Sequence, residues 1–258
     1  MKLWAKIVAI ILFLAAAVVF LTPTVMKQVR EKEMNGLIEE FEEVVENVED
    51  EGTFEEAVEN GEIDDEGYPI DEEGNRTSSE RVVYQADLDR LFEDSKKYNE
   101  SLIAEQNLNE YVFTTSALDL YDYGIFSNIY AYISAPSINM NIPVYLGASN
   151  MNMAYGATHL GGTSLPIGGT PSNCVISGHN GYTGAVYFDN IAYLNVGDRV
   201  SITNYWYTLN YKVVDVRRIS KSTTNDIYVV PNKDTLTLLT CANRGTERTQ
   251  VICERDSS

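Results

Sequence analysis

Histidine, cysteine and basic residues are all scarce in this sequence. Its 258 residues include 2 histidines and 3 cysteines, which leaves little for a His-rich metal site and excludes a disulfide-dense small scaffold. Only 19 Lys and Arg stand against 38 Asp and Glu, a formal net charge of −19. Because phosphate binding needs a basic surface, this balance argues against nucleic acid as a partner. We expect neither a cofactor nor a metal ion.

The negative charge is concentrated in one segment that contains no basic residue. Between Glu33 and Asn75 there is no Lys or Arg, and 19 of the 38 acidic residues lie there. Residues 27–60 repeat apolar and acidic positions at helical spacing, which predicts a helical stalk. Residues 60–80 combine Gly, Pro and Ser with clustered acids, a composition typical of a flexible linker. An acidic cation-binding site is the alternative for this tract, although it lacks EF-hand spacing.

The one long apolar run lies at the N-terminus. Ile7–Leu21 is uninterrupted, and Ile7–Met26 has the roughly 20 residues that a bilayer-spanning helix needs. A cleaved signal peptide and a buried helix of a soluble protein are the alternatives. We favour an uncleaved anchor, because the run is long and no clear small-x-small cleavage site follows. Residues 1–26 would then be a cytoplasmic tail and a single-pass membrane anchor, with the rest of the chain extracellular.

Two patterns follow the acidic segment. Residues 81–104 carry apolar residues every three to four positions and predict a helix. After about residue 110, short β-prone runs alternate with Gly, Pro, Asn and Asp turns. Many short strands at this spacing predict a closed or nearly closed β-barrel over about 125–255, within a catalytic domain of 81–258. The runs are 129–134, 142–146, 173–177, 185–188, 199–204, 207–219, 226–230, 234–240 and 249–253.

Cys241 is the cysteine best placed for chemistry. It ends an apolar β run, a polar loop follows, and Arg248 begins the next β run. Pairing of these two strands would bring the thiol and the guanidinium together. A neighbouring cation favours the thiolate, and a guanidinium can also hydrogen-bond an oxyanion.

The other candidates are weighed against Cys241. His179 follows the β run 173–177 between two glycines, and it could meet Cys241 and Arg248 at one barrel face for acyl transfer through a thioester. His159 is expected to be structural or exposed. Cys174 and Cys253 are expected to be buried small hydrophobes, with a disulfide between them as the alternative.

Four stretches resemble one enzyme family. Thr237–Cys241 (TLLTC) followed by Arg248 resembles the TLxTC…R signature of sortases, the cysteine transpeptidases of Gram-positive cell surfaces. Residues 159–169 (HLGGTSLPIGG) resemble the HLxGTSLPxGG stretch of class C, pilus-assembling sortases. Residues 175–179 (VISGH) and Tyr98-Asn99 with Leu102 resemble their VISGH segment and YNxxL helix. The resemblance as a whole covers roughly residues 81–255. Residues 81–130 lack the Asp-Pro-aromatic motif that typically anchors a lid in class C.

The resemblance implies a fold and an activity. The fold is mainly β, an eight-stranded sortase-type barrel with flanking helices. The activity is transpeptidation, with Cys241 as nucleophile, His179 as acid and base, and Arg248 stabilising the transition state. The implied partners are a surface protein or pilin with an LPXTG-like sorting signal, and an amine from a pilin lysine or a peptidoglycan cross-bridge. The alternatives are a non-catalytic anchored barrel and a hydrolase that uses water as acceptor.

Overall fold

The computed structural model describes residues 3–181, 187–223 and 225–256. For residues 3, 5–10, 14–18 and 225 it describes the backbone only. The helices are α1 (Leu3–Glu46), α2 (Phe54–Asn60), α3 (Gln85–Ala104), α4 (Glu110–Thr114) and α5 (Asn150–Tyr155). The strands are β1 (Val48–Glu49), β2 (Val83–Tyr84), β3 (Ile129–Ala135), β4 (Met140–Leu146), β5 (Ala157–His159), β6 (Ser172–Ser177), β7 (Arg199–Asn204), β8 (Thr208–Ser220), β9 (Asp234–Ala242) and β10 (Glu247–Arg255).

Eight of these strands close into a barrel, which confirms the predicted fold. Their order around the barrel is β10-β8-β7-β3-β4-β5-β6-β9. The β4–β5 and β6–β9 pairs are parallel, and the others are antiparallel. The interior is filled by alternate residues of each strand, so that the barrel is a packed core. These residues include Ile133, Ile142, Val144, Val200, Ile202, Leu236, Leu238 and Val251.

Two predicted strands and one missed strand differ from the sequence-based pattern. The run 226–230 is wrong as a strand, because Asn225–Ile227 forms a 3-10 turn and only Val230 makes an isolated bridge. Of the run 185–188, residues 185 and 186 lie outside the described residues, and Tyr187 and Phe188 are not in a strand. The short strand β5 was not expected from the pattern.

The acidic half of α1 packs against the barrel. Met34, Ile38 and Phe41 are buried, and the Phe41 ring lies 4.7 Å from that of Tyr205. Within the predicted anchor, the side chains of residues 7–10 and 14–18 are not among those described. Among the side chains that are described, no helix is long and apolar enough to cross a membrane.

Residues 60–80 form hydrogen-bonded turns where composition favours a flexible linker. The Asp64 carboxylate accepts from the backbone N–H of Tyr68, and that of Asp71 accepts from the N–H of Asn75, at 2.9 and 2.8 Å. Desolvation is the largest single effect on Asp64 and raises its pKa, but the backbone hydrogen bonds and Arg76 together outweigh it, so the pKa of this carboxyl lies below the usual value. The hydrogen bonds from Asn75 lower the pKa of Asp71 in the same way. Arg76 joins the first turn through an ion pair with Asp64 at 2.6 Å. Side chains of short polar residues thus order the turns, and Ile63 anchors the segment in a small buried cluster with Ala57 and Tyr84.

Candidate active site

A parallel strand pair brings the histidine turn and the cysteine strand to the same end of the barrel. Strands β6 and β9 pair in register, with Ser177 opposite Leu239. His179 lies two residues beyond Ser177, and Cys241 lies two residues beyond Leu239. Because parallel strands run in the same direction, both residues lie at the same end of the barrel.

Antiparallel pairing brings the arginine to the cysteine. Strand β10 pairs with β9 so that Arg248 is the direct partner of Cys241. Directly opposite residues on neighbouring strands have Cβ atoms about 4.5–5.5 Å apart, with side chains on the same face. The three residues that the sequence singled out therefore lie at the same end of three adjacent strands.

Cys241 differs from the other two cysteines in exposure. Its side chain is exposed, whereas Cys174 and Cys253 are buried in the core. Burial raises the pKa of the Cys174 thiol well above its usual value and that of Cys253 to about 12, so both remain protonated. The prediction that both are core residues is confirmed.

The alternative of a disulfide between Cys174 and Cys253 is wrong. All three cysteines are free. Leu236 of β9 lies between the two buried ones, as the partner of Cys174 on one side and of Cys253 on the other. Two strand spacings separate the pair by about 9–10 Å, beyond the roughly 7 Å that a disulfide can bridge.

The loop between Cys241 and Arg248 holds the guanidinium. Nη1 of Arg248 donates to the carbonyl oxygens of Gly245 and Glu247 at 3.2 and 3.1 Å. The loop makes this turn with positive φ at Asn243 (46°), Arg244 (55°) and Gly245 (85°). Left-handed backbone is costly for the two residues that carry a Cβ, a feature common beside functional sites. A guanidinium has five N–H donors, so these two bonds leave capacity for an oxyanion.

The turn that carries His179 is closely packed. Gly178 lies close to the ring of Phe188, since a Cβ at this position would come within 2.8 Å of the ring. The N–H of Phe188 donates to the His179 carbonyl at 2.9 Å. The N–H of Gly181 donates to the Asp189 carboxylate at 2.7 Å. Burial lowers the pKa of His179 below its usual value, which favours the neutral imidazole at neutral pH.

His159 is structural, as expected. It is fully buried, and its Nε2 lies 3.0 and 3.1 Å from the carbonyl oxygens of Thr163 and Ser164, to which it donates. The motif that begins at His159 is also tied to α3. The hydroxyl of Tyr98 accepts from the Gly162 N–H, and the Asn99 side chain exchanges hydrogen bonds with the backbone of Leu165.

Three residues near the site were not assigned a role from the sequence. Asn180 donates from its side chain to the carbonyl of Cys241, and the hydroxyl of Thr240 donates to the carbonyl of Gly178. Asp189 accepts from the turn after His179. Only proximity to His179 and Cys241 in the sequence could have drawn attention to the first two. Within the described part of the chain, no group of three or more His, Cys, Asp or Glu side chains could hold a metal ion.

Comparisons with known proteins agree with this geometry. The Sortase domain profile matches residues 133–256. Sortase C-1 of Streptococcus pneumoniae is 30% identical, with a TM-score of 0.60, and the match covers 67% of this chain and 92% of that one. The chain belongs to the sortase family. Sortases are cysteine transpeptidases and are in general associated with the cell envelope.

Two further sortases show how much of the chain is similar to known members of the family. Sortase C1 of GBS Pilus Island 1 is 25% identical, with a TM-score of 0.66, over 87% of this chain and 93% of that chain. Sortase A of Streptococcus agalactiae is 26% identical over 131 residues, which are 49% of this chain. The match spans about half of that curated relative, 52% of its length. In structure the chain is thus similar to class C sortases.

Proposed function

We propose that this sortase is a transpeptidase that works through a thioester on Cys241. The observation that carries the proposal is the pairing of an exposed cysteine with an arginine directly opposite it on the next strand. His179, at the same end of the parallel neighbour β6, supplies the acid and base. The buried Cys174 and Cys253 are unsuited to attack on a peptide.

The proposed reaction has two acyl-transfer steps. The Cys241 thiolate attacks a backbone carbonyl of an LPXTG-like sorting signal, and Arg248 donates to the oxyanion that forms. As the oxyanion collapses, the C–N bond breaks and the imidazolium of His179 gives its proton to the leaving amine. An incoming amine then loses a proton to His179 and attacks the thioester, which releases the thiolate and forms a new amide. No net oxidation or reduction takes place.

Burial of His179 limits how often the reactive ion pair exists. The mechanism needs thiolate and imidazolium together, and the lowered pKa of His179 favours the neutral imidazole instead. We infer that only a fraction of molecules is ready to react at neutral pH.

The partners are proposed from the family. The donor is a surface protein or pilin with an LPXTG-like signal, and the acceptor is a pilin lysine or a peptidoglycan cross-bridge amine. The structural similarity to a sortase described as belonging to a pilus island favours pilin polymerisation. A hydrolase, with water as acceptor, is the alternative within the same chemistry, and a non-catalytic anchored barrel is the alternative outside it.

The proposed organisation places the barrel at a membrane surface. Residues 1–26 would be the cytoplasmic tail and single-pass anchor, 27–80 the acidic stalk, and 81–258 the extracellular catalytic domain. The stalk packs on the barrel through Met34, Ile38 and Phe41. An anchored barrel would meet its substrates as they emerge from the membrane.

Mass spectrometry of the full chain with a panel of sorting peptides and amines tests the proposal. We expect a covalent acyl adduct on Cys241, a cleaved Thr–Gly bond for an LPXTG peptide, and an amide product when amine is present. Cys241→Ala should form neither adduct nor product, while Cys174→Ala is the matched control and should retain both. Cleavage only to the free acid, even with amine present, would favour the hydrolase. Adduct formation by Cys241→Ala would exclude Cys241 as the nucleophile.

A further inference from the structure

One side chain joins the histidine turn directly to the cysteine. Asn180 follows His179, is exposed, and donates from Nδ2 to the carbonyl oxygen of Cys241 at 3.0 Å. The two residues are 61 positions apart in the sequence. The bond therefore acts across the strand pair.

Hydrogen bonds to β9 lie on both sides of His179. Before it, the N–H of Gly178 donates to the carbonyl of Leu239 at 3.2 Å, and the hydroxyl of Thr240 donates to the carbonyl of Gly178 at 2.7 Å. After it, the bond from Asn180 reaches Cys241 itself. His179 is thus bracketed by contacts with the strand that carries the thiol.

Two further hydrogen bonds of the turn lead to residues 188 and 189. The His179 carbonyl accepts from Phe188, and the Gly181 N–H donates to Asp189, so both contacts hold the turn to the chain that leads toward β7. Loss of the bond from Asn180 would remove a direct link between this turn and Cys241. We expect the imidazole to be held less closely to the thiol as a result.

We propose that Asn180 is a positioning residue, whose side-chain amide fixes the imidazole of His179 relative to the thiol of Cys241. This inference rests on the proposed function, because it assigns a role within that same pair. An exposed hydrogen bond contributes little to global stability, but a catalytic group displaced by about 1 Å can cost up to roughly a hundredfold in rate. Asn180 should therefore affect chemistry more than folding.

Two variants and one matched control test the role in the full chain. Asn180→Asp keeps the shape and loses the donor, and Asn180→Ala removes the side chain. The control is Asn195→Ala, which removes another exposed Asn side chain that donates to a backbone carbonyl, that of Tyr193, within a single turn. Peptide transfer to an amine and alkylation of Cys241 by iodoacetamide are measured for each. Alkylation reports on Cys241, since the other two cysteines are buried.

We expect kcat to fall about tenfold in both Asn180 variants, with KM for the sorting peptide within about twofold of the parent. Alkylation at pH 6, which depends on a nearby imidazolium, should fall about fivefold, whereas alkylation at pH 9 should not change. Asn195→Ala should match the parent in every measurement. Parental kcat and alkylation in Asn180→Ala, which removes the donor without adding a charge beside His179, would overturn the proposal, as would equal losses at pH 6 and pH 9. If the parent transfers no peptide, the proposed function fails, and the alkylation ratios still decide the role of Asn180.

Discussion

Acid should destabilise the barrel through one buried imidazole, that of His159. The side chain is fully buried, and within the described structure its Nδ1 finds no hydrogen-bond partner. Burial lowers the pKa of His159 from 6.5 to about 4, although the carbonyls of Thr163 and Ser164 oppose this shift. The imidazole is therefore neutral in the folded protein over a range in which it is charged in the unfolded chain.

The two pKa values of His159, folded and unfolded, give the direction and size of the change in unfolding free energy with pH. Between pH 6.5 and pH 4 the unfolded chain binds more protons at His159 than the folded protein does, so stability falls as the pH falls. Above pH 6.5 the imidazole is neutral in both states, so the barrel suffers essentially no loss of stability through His159. At about 1.4 kcal/mol per pH unit, the full contribution of His159 is about 3 kcal/mol, of which about 2 kcal/mol is lost at pH 5. Against a typical total of about 5–15 kcal/mol, this loss is large.

Urea unfolding of the full chain and of His159→Gln, followed by fluorescence at pH 7, 6 and 5, measures this contribution. Glutamine can donate to Thr163 and Ser164 in place of Nε2 but does not titrate. The acidic residues titrate in both proteins, so the difference between the two unfolding free energies isolates His159. The variant should gain about 2 kcal/mol relative to the parent between pH 7 and pH 5. A constant difference would refute the reasoning.

Three further predictions concern the site and the stalk. Arg248→Lys should lower kcat/KM for peptide transfer about a hundredfold, because the planar donor fork is lost; near-parental turnover would rule out the oxyanion role. The acidic limb of the kcat/KM profile against pH should have its midpoint below 6.5, because burial lowers the pKa of His179; a midpoint above 6.5 contradicts this. Asp87→Ala should reduce the unfolding free energy by about 1–3 kcal/mol, since the buried carboxylate accepts from the Phe54 N–H at 2.7 Å and pairs with Arg90; an unchanged urea midpoint would show otherwise.

Local patterns predicted the barrel and the arginine–cysteine pair well. Short β-prone runs separated by turn residues mark most of the barrel strands, and alternate burial is clear in β7 and β8. The hairpin that joins Cys241 to Arg248 spans so few residues that antiparallel pairing brings their ends together. The meeting of His179 with Cys241 was expected only from residue types and the family resemblance, because the parallel pairing of β6 with β9 joins segments distant in sequence.

Tertiary contacts decided what local patterns could not. The run 226–230 is β-prone, but Ile227 packs on Val175, and the Asp226 carbonyl accepts from the side chain of Gln250, so the chain turns there. Strand β5 has three residues, too few for a detectable alternation. In residues 60–80, composition indicated flexibility because clustered acids lack an apolar core, whereas Asp64 and Asp71 build turns from their own carboxylates.

Burial in the core sets the register of the site. Strands β9 and β10 keep eight consecutive pairs from Glu247 to Glu254 without a shift, and the irregularity near Cys253 lies on the other side of β10, toward β8. A slip of one residue would turn the buried Val251 and Cys253 outward and move Arg248 to the opposite face from Cys241. The energy that resists such a slip comes from the apolar interior. An exposed thiol and a half-buried guanidinium can therefore hold a fixed relation without a strong contact of their own.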